Sequence, residues 1–289
     1  MASNEGLVAE GEFHLSPTDF NTIAKIMLAE AGITLADNKA NLVYTRLAKR
    51  LRALGLATFK DYCAIVTSPQ GKTERQTMIA ALTTNVTRFF REPHHFEHLK
   101  TVILPPLLPL AKKGGRIRLW SAACSSGQEP YSMAMTVLSL IPDAARYDIK
   151  ILATDIDPNV LHEGQEALYP ESAMESVPPA LRARWFINDP SGSVRANDDL
   201  RSLVTFRKLN LIGNWPMNGR FHAIFCRNVV IYFSNETQSK VWARIAPLLE
   251  PEGALYIGHS ERISGGAEQM LRSDGVTTYR AVSRAPVTS

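Results

Sequence analysis

The 289-residue sequence predicts an α/β protein. It has an all-helical N-terminal domain, then a doubly wound, Rossmann-like domain with a small antiparallel β insert. Three observations predict this. The first hundred residues hold amphipathic helical patterns and no strand pattern. From Arg116 onward, short β-rich apolar runs alternate with helical segments, as in a mostly parallel sheet with helices on both faces. Between Leu168 and Leu203 that alternation lapses, and WFINDPSGSVRA sets a turn signal between alternating residues, as in a β-hairpin. The expected bounds are residues 16–100 for the helical domain and 101–289 for the sheet domain, with the insert at about 168–203.

Residues 1–15 read as a loose tail. SPTDFNTIAKIMLAEAGI then opens on a capping serine and a proline at the first helical position, with Phe20, Ile23, Ile26 and Met27 at helical spacing. A second helix runs to Gly55 with the apolar stripe Val43, Leu47, Leu51 and Leu54; a third covers Thr58–Thr67 and a fourth Thr73–Leu82. Leu104–Leu110, broken by Pro105, Pro106 and Pro109, reads as a connection, too short and interrupted to cross a bilayer. The runs RIRLWSAA, DIKILATDID, LVTFRKLNL, FHAIFCRNVVIYF, GALYIGHSE and VTTYRAV supply the strands.

Composition narrows the class. Hydrophobic residues make up 45% and charged residues 21%, ordinary for a globular protein with a full core. A net charge of +4 does not demand a nucleic-acid partner, and there is no basic tract interleaved with aromatics of the kind that binds single strands. Cys63, Cys124 and Cys226 are dispersed and odd in number, which indicates neither a disulfide framework nor a zinc site and fits a reducing, cytoplasmic setting. MASNEGLVAEGEF lacks the basic flank and apolar core of a signal peptide.

LWSAACSSGQEPYSMAM joins the first strand to a helix at the place where open α/β sheets bind ligands. Its small residues let backbone approach a ligand closely, and the second strand ends in Asp155, a carboxylate suited to both hydroxyls of a ribose. Taken alone, the loop fits a tight turn as well as a cradle. A dinucleotide site wants several glycines at this point; AACSSGQEP has one. A cofactor without phosphates, such as S-adenosylmethionine, tolerates the loop better, and Glu129 just beyond it would balance positive charge.

TTNVTRFFREPHHF at 83–96, WSAACSSGQEPYSMAM at 120–135, ATDID at 153–157, FHAIFCRNVVIYF at 221–233 and GHSE at 258–261 together resemble the CheR family of chemotaxis receptor methyltransferases. The resemblance runs from about Thr18 to Ala281. It implies transfer of a methyl group from S-adenosylmethionine to chemoreceptor glutamates, leaving S-adenosylhomocysteine. By matching position it implies cofactor contacts at Asn85, Thr87, Arg91, Glu129, Asp155, Asn210, Leu211, Arg227 and Asn228. Arg91 would fork onto the cofactor carboxylate, Asp155 would hold the ribose, and Asn210 with its neighbours would face the adenine. Arg91 and Tyr232 are the expected catalytic residues, Tyr232 orienting the incoming carboxylate from the end of the fourth strand.

A charged face on the second helix, with Lys39, Arg46, Lys49 and Arg50, is ordinarily just solvated. The resemblance makes Arg46, Lys49 and Arg50 expected contacts to the helical bundle of a receptor. The β insert is short for docking a receptor's C-terminal tether peptide, so tether-independent action by a monomer is expected. His94 and His98 share a helical face, but no HExxH accompanies them and no metal is expected.

Overall fold

The computed structural model describes residues 12–282, which form two compact units. One comprises the chain up to Thr84 together with Tyr232–Ser234; the other comprises Asn85–Ile231 and the chain from Asn235 on. The division thus falls after Thr84 and not near residue 100. The reason is packing: Phe89, Phe96, Leu99, Ile103 and Leu104 are buried in the same core as the sheet. Leu104 is therefore a core residue, inside a segment expected to be only a connection.

In the first unit, α1 (Pro17–Ala31) starts at a capping box: Ser16 Oγ accepts from Asp19 N at 3.2 Å and Asp19 Oδ2 accepts from Ser16 N at 3.3 Å. Left-handed glycines Gly32 and Gly55 end α1 and α2 (Ala40–Leu54). Then come α3 (Phe59–Thr67) and α4 (Lys72–Leu82). Phe20, Ile23, Met27, Val43, Leu47, Leu51, Phe59, Tyr62, Val66 and Met78 form the core, while Leu54 is exposed. Of the expected tail, residues 1–11 lie outside the described residues, but Phe13 and Leu15 are buried, Phe13 meeting Phe59 edge-on at 6.5 Å.

The second unit begins with the short helices α5 (Pro93–His98) and α6 (Leu108–Lys112), then enters the sheet. In chain order the elements are β1 (Ile117–Ala122), α7 (Gln128–Leu140), β2 (Ile149–Asp155), α8 (Pro158–Glu166), β3 (Leu168–Pro170), α9 (Pro179–Trp185), β4 (Phe186–Asn188), β5 (Ser193–Ala196), α10 (Asp198–Ser202), β6 (Val204–Lys208), β7 (Phe221–Cys226), α11 (Asn235–Ile245), β8 (Leu249–Ile257), β9 (Leu271–Gly275) and β10 (Thr278–Ala281).

The main sheet has seven strands in the order β6-β2-β1-β7-β8-β10-β9. The first five are mutually parallel, and β10 and β9 are antiparallel additions. β3, β5 and β4 form the separate antiparallel insert. Successive β–α connections run outward from β1 through β2 to β6, then restart at β7 beside β1. That reversal opens a crevice beyond the carboxyl ends of β1 and β7, where Ala122 pairs with Cys226. β1 and β7 are buried almost throughout because helices cover both faces of the sheet. No described helix is long and apolar enough to cross a membrane.

Two strand expectations need correction. β7 stops at Cys226, although VVIYF is apolar; Asn228 takes a left-handed φ of 58°, and Val230–Tyr232 form a 3-10 turn. Tyr232 therefore does not end a strand. β9 was absent from the expectation because LRSDG carries charges suited to a sheet edge.

Candidate active site

The loop after β1 is wound more tightly than its small residues suggest. Ala123, Ser125 and Gly127 all have left-handed φ, at 61°, 51° and 96°. For residues other than glycine such backbone costs about 1 kcal/mol or more each and persists only where the surroundings enforce it. Here they do. Cys124 N donates to Thr154 O at 2.9 Å, Ser125 N to Asp155 Oδ2 at 2.9 Å, Ser125 Oγ to Asn85 O at 2.7 Å and Tyr169 Oη to Ser126 O at 2.9 Å. Gly127 is required twice over: besides its φ, a Cβ there would stand 2.9 Å from Tyr169 Oη and 3.1 Å from Gly164 Cα.

Asp155 ends β2 with its carboxylate buried at the crevice. Oδ2 accepts from Ser125 N, and Oδ1 accepts from Asp157 N at 3.0 Å. Burial raises its pKa, and the backbone amides pull it back. Two carboxylate oxygens offer about four acceptor sites, so capacity remains beside these amides for a ligand hydroxyl. Asp157 caps α8 through Asn159 N at 2.9 Å and also accepts Asn85 Nδ2 at 2.8 Å, drawing the 85–91 segment to the same rim.

Beyond β7 stands a buried arginine. Arg227 Nη1 donates to Glu129 Oε2 at 3.1 Å, and Nη2 donates to the Arg91 carbonyl and lies 3.6 Å from Glu92 Oε2. The rings of Phe96 and Phe225 flank the guanidinium at 5.7 and 5.8 Å. Glu129 Oε1 accepts from Ser121 Oγ at 2.7 Å; burial raises the Glu129 pKa and the Arg227 charge opposes it. Arg91 is half-buried and its Nη1 donates to Val86 O at 3.2 Å; among the described residues no carboxylate forms a salt bridge with it. Thr87 is half-buried between Asn85 and Arg91.

Past β6, Leu209 N donates to Asp155 O at 2.9 Å, which seats the next residues beside that carboxylate. Asn210 Oδ1 accepts from Ile212 N at 3.1 Å in a side-chain turn, its carbonyl accepts from Trp215 Nε1 at 3.2 Å, and Leu211 is buried. The nine expected cofactor residues all come from segments of the second unit: Glu129, Asp155, Arg227 and Asn228 at or past the carboxyl ends of β1, β2 and β7, Asn210 and Leu211 past β6, and Asn85, Thr87 and Arg91 ahead of α5. Tyr232 clusters with the first unit, where its carbonyl accepts from Thr34 N at 2.9 Å.

The basic face of α2 is largely occupied. Arg46 Nη1 donates to Thr83 O at 2.6 Å, holding the end of α4. Arg50 forks onto Glu74, with Nε–Oε1 at 3.0 Å and Nη2–Oε2 at 2.7 Å, and Tyr62 Oη donates to the same carboxylate at 2.9 Å. Lys49 is exposed. His98 bonds Tyr256 Oη at 2.9 Å and Asp274 Oδ2 at 3.2 Å. Glu92, His94 and His95 bring donor atoms within 4.8 Å of one another. His95 is buried against Thr277 Oγ1 at 2.8 Å, and its pKa is pushed down to about 2, first by burial and then by the Arg227 charge.

The sequence pattern gives no role to Glu92 or Glu261, and it marks Ser121 and Ser125 only as small loop residues. Glu261 lies inside the GHSE stretch, yet nothing in the local pattern marks its role. Its buried carboxylate accepts from Val229 N at 2.9 Å, Val230 N at 3.0 Å and Gly258 N at 2.5 Å.

This donor set fits S-adenosylmethionine: a carboxylate for the ribose, an arginine for a carboxylate, and acidic groups for an ammonium and a sulfonium. The all-α domain profile of the CheR methyltransferase family matches residues 18–83, and its S-adenosylmethionine-binding domain profile matches residues 85–280. A "Probable chemotaxis protein methyltransferase" of Rhizobium etli is 53% identical over 262 residues, covering 90% of this chain and 98% of that one. "Chemotaxis protein methyltransferase 2" of Pseudomonas aeruginosa is 40% identical over 278 residues, covering 93% and 94%. "Chemotaxis protein methyltransferase" of Escherichia coli is 40% identical over 272 residues, covering 92% and 91%. With its crevice built around Asp155, Glu129 and Arg227, and both family profiles matched in order, the chain belongs to the CheR methyltransferase family and carries its S-adenosylmethionine-binding domain.

Proposed function

We propose that this protein methylates glutamate side chains of chemoreceptors, forming γ-glutamyl methyl esters that adjust receptor signalling. The observation that supports it most directly is the crevice itself, where a ribose-type carboxylate, Asp155, stands with the Glu129–Arg227 pair. When bound, S-adenosylmethionine supplies a methyl carbon activated by positive sulfur, from which an acceptor oxygen displaces the thioether. A glutamate acceptor with a pKa of about 4.3 is already ionised at neutral pH, so no general base is needed. The protein's task is positioning, which alone can supply up to roughly 7–11 kcal/mol of barrier lowering. Asp155 holds the ribose, Asn210 and Leu211 face the adenine, and Arg91 clamps the cofactor carboxylate with Asn85 and Thr87 beside it. Arg227 holds Glu129 in place, and Asn228 completes the contacts.

The test is labelled methyl transfer from S-adenosylmethionine into receptor-containing membranes. Base-labile label in the receptor supports the reading; base-stable label, or label only in other acceptors, overturns it.

The helical unit meets the acidic helical bundle of a cytoplasmic receptor domain through Arg46, Lys49 and Arg50, and the enzyme works as a cytoplasmic monomer without a tether peptide. Three-residue strands at both edges of the insert support tether independence. Because Arg46 and Arg50 also brace α3 and α4, Lys49 is the residue to alter. Lys49→Glu should raise KM for receptor about three- to tenfold through charge repulsion, more at low salt, and leave S-adenosylhomocysteine affinity unchanged. An unchanged receptor KM at low salt would remove α2 from the receptor interface.

A further inference from the structure

We propose that Glu261 is a positioning residue: its carboxylate holds the turn Arg227–Val230 in the conformation that presents Arg227 and Asn228 to the cofactor. The proposal rests on the assignment of those two residues to cofactor binding.

Glu261 lies just past β8, and the turn it grips lies just past β7, the adjacent parallel strand. One oxygen, Oε1, accepts both Val229 N and Val230 N, while Oε2 accepts Gly258 N. Glu261 is 2% exposed, so these amides have no water to turn to if the carboxylate is removed. Asn228 sits at φ 58°, a conformation that asparagine adopts only at some cost. The two consecutive amides of Val229 and Val230, gathered on one oxygen of the anion, offset that cost.

Gly258 makes the grip possible. A Cβ at that position would come within 2.5 Å of Asn228 Nδ2 and 2.8 Å of Asn228 N. The two turns therefore touch backbone to backbone at Gly258, and Glu261 ties them together. Immediately before the gripped amides, Arg227 reaches Glu129 and the Arg91 carbonyl. A change in the turn is thus transmitted to three residues assigned to the cofactor. Burial raises the Glu261 pKa, and the backbone amides oppose that rise.

Glu261→Gln tests this at constant volume. Its carbonyl can keep Val229 and Val230, but its NH2 then faces Gly258 N–H, donor against donor, and pushes the turns apart. Calorimetry with S-adenosylhomocysteine should give a Kd about tenfold or more above wild type, with stoichiometry still near one. A merely structural role would lower the stoichiometry at an unchanged Kd, and that result overturns the proposal. An unchanged Kd at full stoichiometry also overturns it. If Glu261→Gln does not fold, Gly258→Ala presses on the same turn from the other side and is read by the same two quantities. Failure of the wild-type protein to bind S-adenosylhomocysteine would refute the cofactor reading itself, a result distinct from a variant that binds normally.

Discussion

Arg227→Ala should destabilise the fold by about 3–5 kcal/mol and abolish measurable cofactor binding. The arginine side chain is 1% exposed, against 13% for Glu129 and 14% for Glu92. Its removal leaves two largely dry carboxylates without their shared cation, the situation in which breaking a buried pair is most costly. Glu92 makes the case sharper, because neither of its oxygens accepts a hydrogen bond among the described residues. The Arg91 carbonyl would lose its donor at the same time, releasing the segment assigned to the cofactor carboxylate. Denaturant unfolding of Arg227→Ala, Glu129→Gln and the double variant measures the coupling. The double variant should be less destabilised than the sum of the singles, because neutralising Glu129 removes part of the stranded charge. Strict additivity would mean that Arg227 acts through packing against Phe96 and Phe225 and not through charge.

The alternation of strand and helix was legible because period and punctuation are local properties, and so was the crevice, because strand order reverses wherever such a sheet restarts. Asp155 could be read from its place at a strand end. What could not be read depends on contacts distant in sequence. β7 ends early because Asn228 turns left-handed under a carboxylate more than thirty residues away, an event that the apolar run VVIYF hides. The 85–99 segment joins the sheet unit because Phe89 packs edge-on against Tyr169 at 5.1 Å and Phe186 at 5.6 Å, both in or beside the insert. Periodicity correctly put Arg46 and Arg50 together on α2, yet it could not show that α3 and α4 offer them Glu74, Tyr62 and a helix end. Ala123 and Ser125 looked like fillers in a permissive loop. Their left-handed backbones show a loop held under constraint by its neighbours.

Asp155→Ala should weaken S-adenosylhomocysteine binding about a hundredfold or more. Two hydrogen bonds from ribose hydroxyls to a charged acceptor contribute roughly 1.5–3 kcal/mol each, and about 2.7 kcal/mol corresponds to a factor of a hundred. The same substitution orphans Ser125 N and Asp157 N, so affinity alone cannot separate a ribose contact from loosening of the strained loop. A ligand-side change separates them. Wild type should bind an analogue lacking the ribose hydroxyls far more weakly than S-adenosylhomocysteine, whereas Asp155→Ala should bind the two within a few-fold of each other. Calorimetry on the four combinations gives that coupling directly. If the variant discriminates between the ligands as strongly as wild type does, Asp155 holds the loop and some other group reads the ribose.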